Sequence, residues 1–235
     1  MNPKDRFGDR ADAYAANRPG YPEAVLDALL YEMPPEIVVA DVGAGTGISS
    51  EALAANAARV IAIEPNAAMR AKASPNKKIE WRDGTGERTG LDAKSVDLAV
   101  AFQAFHWFDA DAAFAEFTRI ARVRIGLVQY ERDERYPFAR AYGDLVREYA
   151  TDDTEGVRLR TLDTFASLAG DRLERSTIAA DQRLGLDGLT GRIDSASYLP
   201  KEGERAAQLR ERARALFEQF EQDGTVVLAM TYHVL

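Results

Sequence analysis

The chain has 235 residues, 46% of them hydrophobic and 29% charged, a composition that excludes the disordered and fibrous classes. It has no cysteine, which excludes disulfides, zinc–thiolate sites, iron–sulfur clusters and cysteine nucleophiles together. Lys and Arg number 30 against 38 Asp and Glu, for a net charge of −8; such a surface repels polyphosphate, so nucleic acid is not an expected partner.

The length suits one large domain, here taken as a single domain over 1–235. The two histidines, His106 and His233, are far apart in the chain, so no histidine-rich metal site is expected. Met1–Arg10 is charged and has no apolar core of a secretory signal. The longest apolar runs, around Ile37–Val42 and Val226–Met230, fall far short of the roughly 20 residues that cross a bilayer. A cytoplasmic protein with no membrane contact is the expectation.

In chain order, Pro22–Met33 reads as a helix with Val25, Leu26, Leu29 and Leu30 inward, stopped by Pro34 and Pro35. Ile37–Val42 and Arg59–Glu64 are β-branched runs; Lys78–Trp81, Val96–Phe102 and Val123–Tyr130 follow as further strands. Between them lie Ala-rich helical stretches, Ser49–Ala58, Ala67–Ala73 and Asp111–Ala121, the last with Ala113, Phe117, Ile120 and Ala121 on one face. Alternating strands and helices predict an α/β fold with a mostly parallel sheet covered on both faces. After Tyr130 come a helix over Phe138–Ala150, a polar segment at Thr151–Glu155 and a strand-like Leu173–Leu184. Arg205–Asp223 is an amphipathic helix, with Leu209, Ala213, Leu216, Phe217 and Phe220 on one face. Gly224 ends it, and Val226–Leu235 is a final strand expected to pair antiparallel.

The sharpest local signal is Val39-Ala40-Asp41-Val42-Gly43-Ala44-Gly45-Thr46-Gly47-Ile48. A strand runs into three alternating glycines and then a helix. Glycine permits the dihedrals of a tight reversal and lets a ligand approach the main chain, and the helix N-terminal amides face that ligand. In an open parallel sheet the carboxyl ends of the strands are where ligands bind. The third glycine comes one residue early for a dinucleotide fingerprint, and the G-K-[ST] of a phosphate loop is missing. Glu64 ends the second strand, where a carboxylate can accept both ribose hydroxyls of a nucleoside.

These residues resemble the class I S-adenosylmethionine-dependent methyltransferases, in the small-molecule branch called methyltransferase type 11, which includes proteins similar to trans-aconitate methyltransferases. Asp41-Val42-Gly43-Ala44-Gly45-Thr46-Gly47 matches the first family motif. Glu64 matches the ribose-binding acid, and Asp83-Gly84 the pair that reads the adenine edge. Gln103-Ala104-Phe105-His106-Trp107-Phe108 matches a Q-A-x-H-W motif after the fourth strand. Tyr14-Ala15-Ala16-Asn17-Arg18-Pro19-Gly20-Tyr21-Pro22 matches an N-terminal Y-x-x-x-R-P-x-Y-P segment. One departure is that Ile120–Gly126 carries a single glycine where the family has a Pro-Gly-Gly turn before the fifth strand.

The resemblance implies a Rossmann-like, seven-stranded, mostly parallel sheet with helices on both faces and an antiparallel C-terminal strand. It implies S-adenosyl-L-methionine as cofactor, held by Tyr14, Arg18, Asp41, Gly43, Ala44, Gly45, Gly47, Glu64, Pro65, Met69, Asp83, Gly84 and Gln103. It also implies a helical lid over 1–33 and substrate-side additions over 151–223. Tyr14 and Arg18 are one helical turn apart and can share a face, with the planar fork of Arg18 suited to a carboxylate. Asp41 stands near the cofactor's amino group, or else orders the loop amides. Asn66 can cap the helix after Glu64. Asp83 reads adenine, or else makes an ordinary Asp-Gly turn. Trp107 and Phe108 wall an apolar pocket, or else simply pack, and His233 is a satisfied core or edge residue.

His106, Trp107 and Tyr198 are the candidate acceptor-binding residues, with His106 also the candidate general base. The expected activity is methyl transfer to a small-molecule acceptor by in-line displacement, with no metal. Arg18, Arg132 and Arg192 leave room for an anionic one. A non-catalytic cofactor-binding module, a methyltransferase acting on a macromolecule and a nicotinamide-dependent reductase remain as alternatives.

Overall fold

The computed structural model describes residues 20–235. Its centre is a seven-stranded sheet in the order β3-β2-β1-β4-β5-β7-β6. The strands are β1 Val38–Val42, β2 Arg59–Ile63, β3 Ile79–Arg82, β4 Val96–Phe102, β5 Ala121–Arg132, β6 Ser176–Leu184 and β7 Val226–Val234. The first five run parallel: Ala40 of β1 pairs with Ile61 of β2 on one side and Ala99 of β4 on the other. β7 is antiparallel to β5, pairing Tyr232 with Tyr130, and β6 is antiparallel to β7. The expected antiparallel C-terminal strand is therefore present, with β6 as a second antiparallel strand at the edge.

The chain fills the sheet outward from β1 to β3, then crosses back to β4 on the other side of β1. That reversal leaves a crevice at the carboxyl ends of β1 and β4, the place where such sheets bind ligands. The central strands are buried on both faces, which explains their continuous apolar runs. Val39, Leu98, Val100, Val128, Leu228 and Met230 face one core. That core is covered by α1 Glu23–Leu30, α2 Ile48–Ala54, α5 Pro137–Tyr149, α7 Leu186–Ser195 and α8 Gly203–Phe220. Ala40, Val42, Ile61, Ile63, Ala99 and Leu127 face the other, under α4 Ala110–Ile120 and α6 Thr154–Ala169. The short α3, Ala67–Arg70, follows β2.

Within the segment expected to form a lid, α1 is a packed layer: Val25 and Leu29 are fully buried, and Leu29 meets Gly126 of β5 closely. The missing Pro-Gly-Gly turn has a plain outcome. α4 ends at Ile120 and β5 begins at Ala121, and the register against β4 shifts between Val96 and Leu98 to absorb the abrupt join.

Two helices lie where the sequence gives no helical reading. α6 buries only Thr161, Leu162 and Phe165 along its 16 residues, a stripe too narrow to stand out as a period. α7 carries Gly188 and Gly191 within 10 residues, so its local propensity is poor and packing of Leu189 and Ile193 holds it.

Candidate active site

The glycine turn leaves β1 and doubles back over β2. The amides of Gly43 and Ala44 both donate to the Ile63 carbonyl, at 2.8 and 3.1 Å, which ties the turn to the strand that carries Glu64. Gly43, Gly45 and Gly47 all have positive φ. At two of them close packing adds a second demand. A Cβ on Gly43 would lie 2.5 Å from Ala104 Cβ, and one on Gly47 would lie 2.9 Å from the Trp81 ring. At Gly45 the nearest atom among the described residues is Met69 Cε, at 3.4 Å, an ordinary contact, so packing makes no second demand there.

Glu64 closes the turn from the β2 side. Its Oε2 accepts from the Gly45 amide at 3.1 Å and its Oε1 from the Asn66 amide at 2.8 Å. Burial raises its carboxyl above the ordinary value, opposed by those two amides. The Arg70 guanidinium donates to the Glu64 carbonyl and stands 3.9 Å from Asp83. The Asn66 side chain accepts from the amides of Ala68 and Met69, the expected N-cap of α3, and so fixes buried Met69 beside Gly45. Pro65, half-buried, links the two anchoring residues.

Asp41 lies under the turn and is fully buried. Its Oδ2 accepts from the Ser49 and Ser50 hydroxyls at 2.7 and 2.6 Å, in the first turn of α2. It therefore does not order the loop amides, the alternative the sequence left open. Its Oδ1 has no partner among the described residues. Burial pushes its carboxyl up to about 6, against the pull of the two hydroxyls and with Glu64 adding to the rise. The sequence reading missed Ser49 and Ser50; two hydroxyls directly after a glycine turn were the available signal.

Asp83 is exposed, and Gly84 is pressed against Ile63 and the Thr89 carbonyl. The loop that follows is fastened by Glu116 of α4, which accepts from the Thr89 amide and hydroxyl at 2.9 and 2.6 Å. Across the crevice, Gln103 follows β4 with φ +53, a left-handed conformation for a residue with a side chain. Its amide continues the ladder to the Val128 carbonyl at 2.9 Å, and its Oε1 lies 3.5 Å from Arg158 Nη1.

Phe105–Trp107 forms a single 3-10 turn, with the His106 and Trp107 rings 4.6 Å apart and both half-buried. Phe108 packs edge-on to Phe105 and Phe117 and covers Gly43 and Gly86. Tyr198, after α7, is held through its carbonyl by the amide and hydroxyl of Thr151, at 2.8 and 3.0 Å. It borders an enclosure with Tyr130, Arg132, Tyr142, Arg158 and Arg192. Arg158 belongs to α6 and, like that helix, was not legible as part of a site.

His233 pairs with Glu131 at 2.9 Å across β5 and β7; β7 lies between β5 and β6, so His233 is a buried residue of the sheet interior and not of its edge, with Nδ1 unpartnered among the described residues. Tyr14 and Arg18 lie outside the described residues. Among the described residues no group of three or more His, Asp or Glu side chains is placed to hold a metal ion, and no helix is long and apolar enough to cross a membrane.

Residues 40–124, which span the glycine turn to the start of β5, match the methyltransferase domain family. A methyltransferase of Mycobacterium tuberculosis, named as uncharacterized, is 35% identical over 144 residues. The match takes in 60% of this chain and 58% of that protein, so this chain spans less than two thirds of the relative. An uncharacterized methyltransferase-like protein of Schizosaccharomyces pombe is 27% identical over 201 residues, 82% of this chain and 77% of the relative. Among solved structures, a chain of Anaeromyxobacter dehalogenans described as a type II methyltransferase superposes with a TM-score of 0.68 at 26% identity, covering 92% of this chain and 95% of that one. An N-methyltransferase of Haemonchus contortus solved with S-adenosylhomocysteine shares the fold, with a TM-score of 0.54 at 13% identity over 98% of this chain and 59% of that one. Residues 40–124 thus carry the likeness to a methyltransferase domain, and the strand order and glycine turn lie within the fold shared with these solved methyltransferases.

Proposed function

We propose that this protein binds S-adenosylmethionine at the carboxyl ends of β1, β2 and β4 and transfers its methyl group to a small-molecule acceptor. The observation that carries the reading is the Glu64 carboxylate fastened to the Gly45 amide at 3.1 Å, at a glycine whose Cβ would meet only an ordinary contact among the described residues. The residues present fit the cofactor. Each Glu64 oxygen uses one lone pair on an amide and keeps another for a ribose hydroxyl. The unpartnered Asp41 Oδ1 suits an ammonium group. Met69 lies where it can cover one face of an adenine, and Asp83 is free to turn toward the adenine edge. Gly43, Ala44, Gly47, Pro65 and Gly84 shape the main chain around the ligand, with Gln103 on the far rim. Tyr14 and Arg18 are proposed to complete the site from the N-terminal segment.

When bound, S-adenosylmethionine would supply a sulfonium-activated methyl group to the acceptor's lone pair, its sulfur keeping the electron pair of the carbon–sulfur bond given up. The protein's part is positioning, which can be worth about 7–11 kcal/mol when two reactants are held in line. Gln103, His106, Trp107 and Tyr198 are placed on the acceptor side of the crevice. His106 accepts a proton from the acceptor where that acceptor carries one to lose.

The test is calorimetric titration with S-adenosylhomocysteine, then labelled methyl transfer across small acceptors. Absence of binding overturns the cofactor reading. Binding with no transfer to any acceptor leaves a non-catalytic module, and transfer only to protein or nucleic acid replaces the small-molecule assignment. A larger thermal shift with NAD(P) than with S-adenosylmethionine favours the reductase.

A further inference from the structure

We infer that the acceptor carries a carboxylate, separate from the atom that is methylated, and that Arg132, Arg158 and Arg192 grip it; this deepens the proposed function and rests on it. The three guanidiniums come from three distant elements: the end of β5, the first turns of α6 and the end of α7. All are nearly enclosed. The side chains of Arg132 and Arg158 are 7% and 12% exposed, and Arg192 is 8% exposed as a residue.

Arginine is rarely buried without a carboxylate for each charge. Here Glu155 alone serves two of them, at 2.6 Å from Arg132 and 3.6 Å from Arg158. Glu134, 3.6 Å from Arg132, is also claimed by Arg147 at 2.6 Å. Glu131, another carboxylate nearby, lies 2.9 Å from His233 and keeps its own charge; His233 and, after it, Arg158 hold its carboxyl below the ordinary value. Among the described residues, Arg192 is paired with the neutral Gln182 amide oxygen, at 2.8 Å, and with no carboxylate. The Nε atoms of Arg132 and Arg158 are buried and have no hydrogen-bond partner among the described residues. Donor capacity is therefore in surplus at one point, and Arg192 has no carboxylate partner among the described residues.

The aromatic rings keep the cluster in place. Arg158 and Arg192 lie over the Tyr130 ring at 5.6 and 5.7 Å, and Arg132 lies over Tyr142 at 5.7 Å. The enclosed space is about 20 Å³, room for one water-sized group and not for a whole acceptor. An end group enters and the rest of the acceptor lies outside it. Arg158 points the way outward, because its Nη1 meets Gln103 on the rim of the glycine crevice. A planar carboxylate matches the guanidinium fork, and one of its oxygens is the size of that space.

The same contacts rule this carboxylate out as the methylated group. Oxygens whose lone pairs are engaged by guanidinium donors are poor nucleophiles. The arginines thus serve as a handle, and the nucleophile is the atom this handle presents to the crevice.

Succinate, succinamide and glycerol 3-phosphate, titrated calorimetrically with and without saturating S-adenosylhomocysteine, test the assignment. Succinate is expected to bind at least about tenfold more tightly than succinamide, the scale of a lost charged hydrogen-bond pair. Arg192→Gln and Arg158→Gln are each expected to lose at least about tenfold in succinate affinity, with S-adenosylhomocysteine affinity unmoved. Arg192→Lys, which keeps the charge and loses the fork, stands in where Arg192→Gln does not fold. Equal affinity for succinate and succinamide, tighter binding of the phosphate ester, or variants that bind succinate as the parent does each overturn the inference. Succinate binding without any S-adenosylhomocysteine binding overturns the methyl-transfer reading and leaves the carboxylate site standing.

Discussion

The Glu64 carboxylate and the Gly45 amide, 19 residues apart in sequence, meet at 3.1 Å and make the second strand the anchor of the first strand's turn. One side chain thus shapes the loop and offers its remaining lone pairs to a sugar. Glu64→Gln keeps the volume but replaces one accepting oxygen by a donor, which faces an amide donor wherever it turns. Loss of a charged hydrogen bond costs about 1.5–3 kcal/mol, so affinity for S-adenosylhomocysteine is expected to fall roughly 10- to 150-fold. Calorimetry checks this, with the thermal midpoint of the free protein as a folding control. Affinity equal to that of the parent protein removes Glu64 from the cofactor site.

Gly43 and Gly45 separate folding from binding within one turn. Both have positive φ, so alanine is strained at either, at about 1 kcal/mol. At Gly43 the added methyl would also overlap Ala104 and crowd Phe108, so Gly43→Ala is expected to destabilise by about 2–4 kcal/mol in all. At Gly45 only Met69 Cε comes near among the described residues. Gly45→Ala is expected to lose only that backbone strain of about 1 kcal/mol in stability, less than Gly43→Ala, while losing most of its affinity for S-adenosylhomocysteine. If both variants bind the ligand normally, the turn is a structural loop and no more.

The sheet was legible because its central strands are buried on both sides and read as unbroken apolar runs, bounded by glycine and proline. The cofactor face was legible for a related reason: a reversal at a strand's end permits few residue types, and Gly43, Gly45, Gly47 and Glu64 are those types. The acceptor side was legible only in part. Arg158 sits on a helix whose buried stripe is three residues, and Arg192 on one interrupted by glycines. Their convergence on Tyr130 depends on the antiparallel placement of β6 and β7, which sets elements far apart in the chain side by side. Spacing along the sequence does not encode that: Arg132 and Arg192 were open to reading as anion partners, but Arg158 and the meeting of the three were not.

Asp41 gives the site a pH dependence of defined sign. Its carboxyl is raised to about 6 from an ordinary 3.8, so between those values the folded protein holds a proton that the unfolded chain has released. The group's contribution to stability is complete below pH 3.8 and is lost as pH rises through 6, by up to about 3 kcal/mol. Cofactor binding runs the other way. An ammonium group prefers the ionised carboxylate, so affinity for S-adenosylhomocysteine is expected to rise between pH 5 and about 7 and then level off. Asp41→Asn is expected to flatten both profiles. Titrations at several pH values, beside urea midpoints in the same buffers, read the two effects separately; a flat affinity profile in the parent protein removes Asp41 from contact with the amino group.

Gln103 holds a left-handed backbone, φ +53, at the end of β4, where its amide still belongs to the sheet and its side chain reaches toward Arg158. A residue with a Cβ is strained there by about 1–2 kcal/mol, and such strain gathers at functional positions. Glycine would relieve it. Its own greater loss of chain freedom, roughly 0.5–1 kcal/mol, offsets part of the gain. Gln103→Gly is therefore expected to match the parent's stability or exceed it by up to about 1 kcal/mol. The side-chain contacts given up are long, at 3.5 Å to the Val128 carbonyl and 3.5 Å to Arg158, and weigh little against that. Methyl transfer is expected to fall all the same, because the rim between the glycine turn and the arginine cluster loses the group that joins them. Urea denaturation and transfer rates on one preparation test the pair of effects. A variant less stable than the parent shows that the left-handed turn is unstrained, and one as active as the parent shows that the amide takes no part in the site.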